Sequence, residues 1–258
     1  MPKTIMFIGA HSGDIEMFAG GTLAKCFDRG YRIIYIITTN NMSATGLICP
    51  FSDTLKVDKS TPVEMMQLNK LKVVSVASKV DTYPVFLGHP QRNYIDQNGG
   101  MEEIRYGCKI PQGVGEDVPT ILTAHENQGA RNELKDIILN KEPYWVITHG
   151  VNNEQIEHLA TALLVAKSCQ DAVAEGFKGG LLLWNEGNSE IGTTNNLWDV
   201  SVNISEWIDR KKEFVEIGAS PKAFHYIRDV NKDWGNKCGY EYAEVFIVAE
   251  RGSYETLS

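Results

Sequence analysis

The stretch Ile5-Met6-Phe7-Ile8-Gly9-Ala10-His11-Ser12-Gly13-Asp14-Ile15-Glu16-Met17 decides the fold of this chain. Its first four residues form a short apolar run, a pattern typical of a strand that is buried on both faces. Ser12, Gly13 and Asp14 then supply turn and N-cap chemistry, and the following residues are compatible with a helix. In open α/β sheets, ligands bind outside the carboxyl ends of the strands. The sequence therefore predicts a strand-to-helix corner that carries two metal-ligand types, His11 and Asp14.

The regions after this corner indicate a layered sheet. The β-branched run Arg32–Thr39 predicts a second buried strand, and a right-handed βαβ unit makes the two strands parallel. The predicted fold class is α/β, a Rossmann-like, mostly parallel sheet with helices on both faces. Further strands are predicted at 81–87, 144–148, 180–184, 198–204 and 239–246, and helices at 15–29, 62–79, 131–140, 159–173 and 207–217. Residues 40–60 and 91–119 are predicted to form long loops.

Composition limits the class of protein. The chain has 258 residues, which fits a single α/β domain over 1–258. Lys plus Arg number 25 against 33 Asp plus Glu, so the net charge is −8, which argues against nucleic acid and anionic membranes as partners. The five scattered cysteines form no C-x-x-C pair, and no stretch near the start resembles a signal peptide or membrane span. We therefore expect a cytoplasmic protein with reduced thiols, and a homo-oligomer is left open.

Three segments resemble one known family. Residues 10–24 read Ala-His-Ser-Gly-Asp-Ile-Glu-Met-Phe-Ala-Gly-Gly-Thr-Leu-Ala. This run resembles the Ala-His-Pro-Asp-Asp-x-Glu-Leu-x-x-Gly-Gly-Thr-Leu-Ala signature of the LmbE-like, or PIG-L-like, metal-dependent de-N-acetylases. Residues 152–161 resemble that family's His-Pro-Asp-His-Arg-Ala helix opening, and 239–246 resemble its closing Tyr-Ala-Glu-x-Phe strand. The resemblance implies an LmbE-like fold and a hydrolase that acts on N-acyl amino-sugar conjugates.

The resemblance also implies a metal site. His11, Asp14 and His158 match the positions that bind the metal in the family. Two imidazoles and one carboxylate, with open positions left over, are a catalytic arrangement for zinc or for a harder divalent metal. We therefore expect one divalent metal ion, with zinc favoured.

Two positions linked to proton transfer depart from the family pattern. Gly13 stands where the family has its general base, and Gln155 where it has a His linked to acid catalysis or oxyanion stabilisation. Loss of a general base alone typically costs a factor of about 10² to 10⁴. Glu16 and Glu157 are candidates to replace the base, although Glu16 is better explained as support for a metal-bound His. His149, at the end of a predicted strand, is a candidate to replace the acid.

The region expected to contact substrate differs as well. Gly88-His89-Pro90-Gln91 replaces the family's Gly-x-Pro-Asp turn, whose Asp is associated with the sugar. His89 and Arg92 on this loop are therefore candidate substrate-binding residues, and His125, which precedes a helix, is a third.

Three functions remain open at this point. The first is a divalent-metal-dependent hydrolase of the de-N-acetylase type with an unusual base. The second is a metal-dependent lyase or isomerase on a sugar-like substrate, in which the metal stabilises an enolate. The third is a non-catalytic protein that keeps the metal for ligand binding. A small, sugar-like molecule is the expected partner in each case.

Overall fold

The computed structural model describes residues 3–41, 62–91, 93–95, 101–103, 119–151, 155–187, 198–250 and 252. For residues 62–65, 93–95 and 101–103 only the backbone is described. Most of the two predicted long loops lies outside the described residues, as does the predicted substrate residue Arg92.

The described residues form nine strands and seven α-helices. The strands are β1 Thr4–Gly9, β2 Arg32–Thr39, β3 Val85–His89, β4 Asn93–Ile95, β5 Met101–Glu103, β6 Trp145–Thr148, β7 Gly180–Trp184, β8 Val200–Asn203 and β9 Ala243–Glu250. The helices are α1 Asp14–Asp28, α2 Pro62–Ser78, α3 Ile121–Ala124, α4 Gln128–Lys141, α5 Ile156–Ala174, α6 Ile208–Gly218 and α7 Pro221–Cys238. A 3₁₀ turn, Ser205–Trp207, precedes α6.

Seven strands form one sheet in the order β3-β2-β1-β6-β7-β9-β8. The first five are parallel, whereas β9 is antiparallel to both β7 and β8. The predicted fold class, a mostly parallel α/β sheet, is confirmed. The chain moves outward from β1 to β3 and then returns to the other side of β1, so the strand order reverses between β1 and β6. That switch point is where an open α/β sheet binds its ligand.

The central strand β1 packs on both of its faces. Ile5 and Phe7 belong to one hydrophobic cluster, which includes Leu23 of α1. Met6 and Ile8 belong to a second cluster, which includes residues of α4 and α5. All four side chains are fully buried. A continuous apolar strand is thus explained by helices that cover both faces of the sheet.

Helix α1 is broken in its middle, where Ala19 has non-helical dihedrals (φ −138°, ψ 15°). The backbone N–H groups of Gly21 and Thr22 donate to the Glu244 carboxylate at 2.8 and 2.7 Å. The buried Lys211 ammonium also donates to Glu244, at 2.6 Å. A carboxylate from β9 therefore caps the second half of α1. A Cβ on Gly21 would lie 2.7 Å from a side-chain carbon of Ile204, so the close approach of the two segments requires glycine at this position.

Helix α7 and the hairpin β4–β5 were not predicted from the sequence. The signals for α7 are nevertheless present: Ser220 accepts a hydrogen bond from the Ala223 N–H as N-cap, and Pro221 is the first helical residue. Strand β3, Val85–His89, begins and ends later than the predicted strand 81–87. Gly88 adopts φ +73°, and the pairing with β2 resumes at His89 after a register shift, so the glycine marks a bulge within the strand.

Candidate metal centre

The predicted ligands His11, Asp14 and His158 meet at the switch point of the sheet. His11 lies in the turn after β1, Asp14 begins α1, and His158 lies in the first turn of α5. The structure places one potential ligand atom from each residue within 4.8 Å of the other two. The three residues are between 1 and 4% exposed.

His11 is fixed by the carboxylate of Glu157. The His11 Nε2 lies 2.7 Å from Glu157 Oε2, and an ionised carboxylate only accepts, so Nε2 carries the proton. In the neutral ring, Nδ1 then carries a lone pair. It lies 3.4 Å from Asp14 Oδ2 and has no hydrogen-bond partner. Burial lowers the pKa of His11, but the Asp14 and Glu157 carboxylates outweigh it and raise that pKa to about 9.

His158 is held in a similar way by Glu186. Its Nδ1 lies 2.8 Å from Glu186 Oε2, and its Nε2 lies 3.4 Å from Asp14 Oδ1. Burial opposes the charged ring, yet the carboxylates of Asp14 and Glu186 raise the pKa of His158 to about 10. Both imidazoles therefore direct their second nitrogen toward the same aspartate.

Asp14 is the centre of the cluster. Its Oδ2 accepts the backbone N–H of His11 at 2.6 Å, which ties the carboxylate to the turn. Burial alone would raise the pKa of Asp14, but the neighbouring His158 and His11 hold it well below its ordinary value. Asp14 is thus an anion at neutral pH.

These residues fit a divalent metal ion. Zinc ligands are typically neutral imidazoles and carboxylates, and a ligating His commonly donates its other N–H to a carboxylate. His11 and His158 both show that second feature, toward Glu157 and Glu186. The buried Nδ1 of His11, which has no hydrogen-bond partner, is the nitrogen that a metal would bind.

His149 and Glu186 complete the cluster. His149 follows β6, accepts the Ala10 N–H at Nε2 (2.9 Å) and donates from Nδ1 to Glu186 Oε1 (2.6 Å). Both of its ring nitrogens are therefore engaged, and its replacement of the lost acid stays a prediction. Sequence reasoning missed Glu186. The available signal was its place two residues after the predicted strand 180–184, at the same edge of the sheet.

The two candidate bases occupy different surroundings. Glu157 lies behind His11 and contacts this proposed ligand directly. Glu16 is fully buried within α1, and its Oε1 accepts the hydroxyl of Tyr35 at 2.6 Å. Burial is the main reason why the pKa of Glu16 is raised to about 7. The role of either residue as a base stays a prediction.

The raised pKa of Glu16 predicts a pH-dependent stability. Because this pKa lies above the ordinary value of 4.5, the stability associated with the neutral carboxyl is complete below pH 4.5 and lost as pH rises to about 7. Between pH 4.5 and about 7, we expect the free energy of unfolding of Glu16→Gln to rise by about 3 kcal/mol relative to that of the wild type. Urea unfolding of chelator-treated protein at pH 4.5, 6 and 8 measures this. The exposed control Glu213→Gln should follow the wild type at all three pH values. If the stability of Glu16→Gln also runs parallel to that of the wild type, the raised pKa of Glu16 is refuted.

The backbone explains the glycine at the expected base position. Gly13 is the N-cap of α1 with φ +95°, a conformation that side chains rarely adopt. A Cβ there would lie 3.0 Å from Ala219 Cβ and 3.3 Å from the Gly218 carbonyl oxygen. The connection between α6 and α7 thus covers the space in which an aspartate side chain would start.

We expect Gly13→Ala to be more destabilising than Gly30→Ala. Gly30 also has a positive φ, +78°, but a Cβ added there would have no atom within 4 Å. The variant Gly30→Ala therefore measures the backbone strain alone, which is about 1–3 kcal/mol. Gly13→Ala adds the contact with Ala219, and introducing Ala219→Gly should recover part of the loss. Thermal unfolding of the three variants provides the comparison. Equal losses at positions 13 and 30 would show that Ala219 does not close this corner.

The predicted substrate residues His89 and His125 do not join the cluster of predicted metal ligands. His89 ends β3, is buried, and donates from Nδ1 to the Pro119 carbonyl at 3.0 Å; burial lowers its pKa. His125 follows α3, and its carbonyl accepts from Arg131. The contacts that the structure gives to these two histidines do not include the metal ligands, and their substrate roles stay predictions. Gln91, by contrast, is buried and donates to Glu157 Oε2 at 3.4 Å.

The sequence matches the family model described as GlcNAc-PI de-N-acetylase, PIG-L, over residues 6–169. This match covers more than half of the chain, so the chain belongs to the PIG-L family. The expected LmbE-like resemblance is confirmed, as is the expected enzyme class at the level of the family: a hydrolase of the deacetylase type. No match was found among curated proteins.

Several solved structures share the fold. The 4-carboxy-2-hydroxymuconate hydratase GalB from Pseudomonas putida KT2440 is 16% identical, with a TM-score of 0.69 over 99% of this chain and 100% of that one. The N,N'-diacetylchitobiose deacetylase from Pyrococcus horikoshii is 16% identical, with a TM-score of 0.65 over 96% and 84%. The zinc-inhibited form of the teicoplanin deacetylase Orf2 is 14% identical, with a TM-score of 0.66 over 98% and 100%. At these identities the likeness establishes the fold.

Proposed function

We propose that the protein is a divalent-metal-dependent hydrolase of the de-N-acetylase type, acting on a small, sugar-like N-acyl substrate. The observation that carries the proposal is the convergence of the buried His11, Asp14 and His158 side chains, in which the His11 Nδ1 faces Asp14 without a hydrogen-bond partner. Family membership supports the reaction type. Deacetylases of a chitobiose and of teicoplanin share the fold, which supports the substrate class.

In this proposal, His11, Asp14 and His158 hold the ion, with zinc favoured. A divalent ion bound there polarises a carbonyl oxygen and acidifies water. Glu157 and Glu186 keep the protons of the two imidazoles on the nitrogens that face away from Asp14. The low exposure of the ligands excludes bulk water and strengthens the charges around a bound carbonyl.

Proton transfer is proposed to involve residues beside the ligand set. Glu157 contacts His11, and His149 Nε2 lies 3.2 Å from Asp14 Oδ2, whereas the hydrogen bond of Glu16 goes to Tyr35. We therefore retain Glu157 as the proposed proton acceptor. His149 can act as the acid only when its ring is protonated, because in the neutral ring Nε2 accepts the Ala10 N–H and the proton is on Nδ1. Because Gly13 lacks the family's base carboxylate, turnover of simple N-acetylglucosamine conjugates should be well below the roughly 10 per second of an ordinary enzyme.

Acetate release from a panel of acetylated amino-sugars tests the proposal. Because one related structure is described as zinc-inhibited, the chelator-treated protein should be loaded with one equivalent of zinc, cobalt, nickel or manganese in parallel. We expect slow, metal-dependent release that is lost on chelation. Folded, metal-loaded protein that releases no acetate from any member of the panel would contradict the hydrolase proposal.

A metal-dependent lyase is the second candidate. The crowding at Gly13 is compatible with this candidate, because a reaction that stabilises an enolate can take its proton-transfer group from another position. The fold shared with the muconate hydratase gives this candidate a substrate chemistry to test, namely a conjugated hydroxy-acid. Hydration of such a compound removes conjugation, so a metal-dependent loss of its ultraviolet absorbance, without acetate release from the sugar panel, would favour the lyase.

No helix among the described residues is long and apolar enough to cross a membrane. We propose one domain over 1–258, a cytoplasmic location and no nucleic-acid partner, and a homo-oligomer remains open.

A further inference from the structure

Glu186 is the least expected member of the cluster at the switch point. It lies two residues beyond the end of β7, which is next to β6, the strand that His149 follows. Its side chain is 18% exposed, yet three N–H groups surround the carboxylate. These are Trp184 Nε1 at 3.1 Å and His149 Nδ1 at 2.6 Å, both to Oε1, and His158 Nδ1 at 2.8 Å to Oε2.

The tautomer of His149 can be assigned from its partners. The backbone N–H of Ala10 can only donate, so the His149 Nε2 at 2.9 Å must accept. In the neutral ring the proton is then on Nδ1, and Glu186 accepts it. Trp184 is a donor only, so its indole also needs the Glu186 oxygen as an acceptor. Oxygen Oε1 is therefore held from two sides by groups that cannot reverse their hydrogen bonds.

This arrangement leaves Oε2 aimed at His158. The rings of His149 and His158 lie 4.0 Å apart between centroids, so one carboxylate spans both edges. When one oxygen of a carboxylate is fixed, the direction of the other oxygen is fixed as well. That second oxygen then determines the orientation and the tautomer of the imidazole that donates to it.

We propose that Glu186 is a positioning residue for the metal centre: anchored by Trp184 and His149, it holds the proton of His158 on Nδ1 and so presents Nε2 to the ion. This inference rests on the metal-binding part of the proposed function. It assigns to His149 the role of a support for the carboxylate, in addition to any part in proton transfer. Glu157 performs the matching task for His11 through a single hydrogen bond from that ring.

The test compares Glu186→Gln with the matched control Glu175→Gln. Glu175 pairs with Lys135 on the surface, so the control makes the same chemical change away from the cluster. The side-chain amide introduced by Glu186→Gln offers one acceptor and one donor group, which cannot satisfy both imidazole N–H groups. We expect zinc affinity, measured by competition with a chromophoric chelator, to fall about 10- to 100-fold in Glu186→Gln and to stay unchanged in the control.

Two spectroscopic measurements separate positioning from general stability. The visible spectrum of the cobalt-loaded protein should change in Glu186→Gln and not in Glu175→Gln, since it reports the geometry of the ligands. Long-range ¹H–¹⁵N NMR of the zinc-loaded wild type should show His158 protonated at Nδ1. This second measurement needs no variant, so it decides the question even if Glu186→Gln fails to fold.

The outcomes are distinguishable. Wild-type affinity and an unchanged cobalt spectrum in Glu186→Gln, or an Nε2-protonated His158 in the wild type, would overturn the positioning role and leave the proposed function standing. A wild-type protein that binds none of the metals would overturn both.

Discussion

Replacing His158 by alanine is expected to lower zinc affinity by more than about 100-fold, because loss of a ligand should exceed the 10- to 100-fold effect of losing its hydrogen-bond partner. His158 supplies Nε2 at 3.4 Å from Asp14 Oδ1, and the neighbouring His149 cannot take over without giving up a bond of its own, because its Nε2 already accepts the Ala10 N–H. Metal-dependent activity should be lost with the metal. Chelator competition and acetate release measure the two effects.

The control for this change is His225→Ala. His225 is an exposed residue of α7, so its removal changes the histidine count without touching the cluster. The His225→Ala protein should bind zinc with the affinity of the wild type. If His158→Ala keeps wild-type affinity while it remains folded, the ion is held elsewhere and the ligand assignment is wrong.

Replacing Lys211 by methionine is expected to destabilise the fold by about 3–5 kcal/mol. The Lys211 and Glu244 side chains are both fully buried and lie 2.6 Å apart. Without the ammonium, Glu244 would keep, among the described residues, the N–H donors of Gly21 and Thr22 to balance a buried charge. Because this carboxylate caps the second half of α1, the loss would reach the helix that begins at Asp14.

Urea unfolding of Lys211→Met and of the control Lys79→Met measures this effect. Lys79 pairs with Glu213 at 2.6 Å on the surface, where ion pairs contribute about 0–1 kcal/mol. Adding Glu244→Gln to Lys211→Met should recover part of the stability, because it removes the unbalanced charge. Similar small losses in both single variants would mean that the buried pair does not stabilise the break in α1.

The sequence predicted the parts of the structure that depend on local pattern. The apolar run at 5–8 and the β-branched run at 32–39 are continuous, so parallel strands buried on both faces follow directly. The positions of His11 and Asp14 at the end of the first strand, and of His158 at a helix start, place all three at one edge of the sheet. The side chains meet where that reasoning puts them.

The parts that were not predicted depend on which distant segments are neighbours. Glu186 reaches His158 because β7 lies beside β6, an order that no local pattern contains. Gly13 combines a positive φ with the close approach of Ala219, which follows a helix late in the chain. Lys211 lies in a helix where a lysine would be expected at the surface, and only the burial of Glu244 beside it explains its position.

Diffraction at the zinc absorption edge, from crystals of zinc-loaded protein, tests the central claim most directly. We expect one anomalous peak bounded by His11 Nδ1, the Asp14 carboxylate and His158 Nε2, with distances of about 2.0–2.2 Å from the ion to these atoms. Absence of a peak at that position, or a peak held by other residues while His11 Nδ1 remains unpartnered, would contradict it.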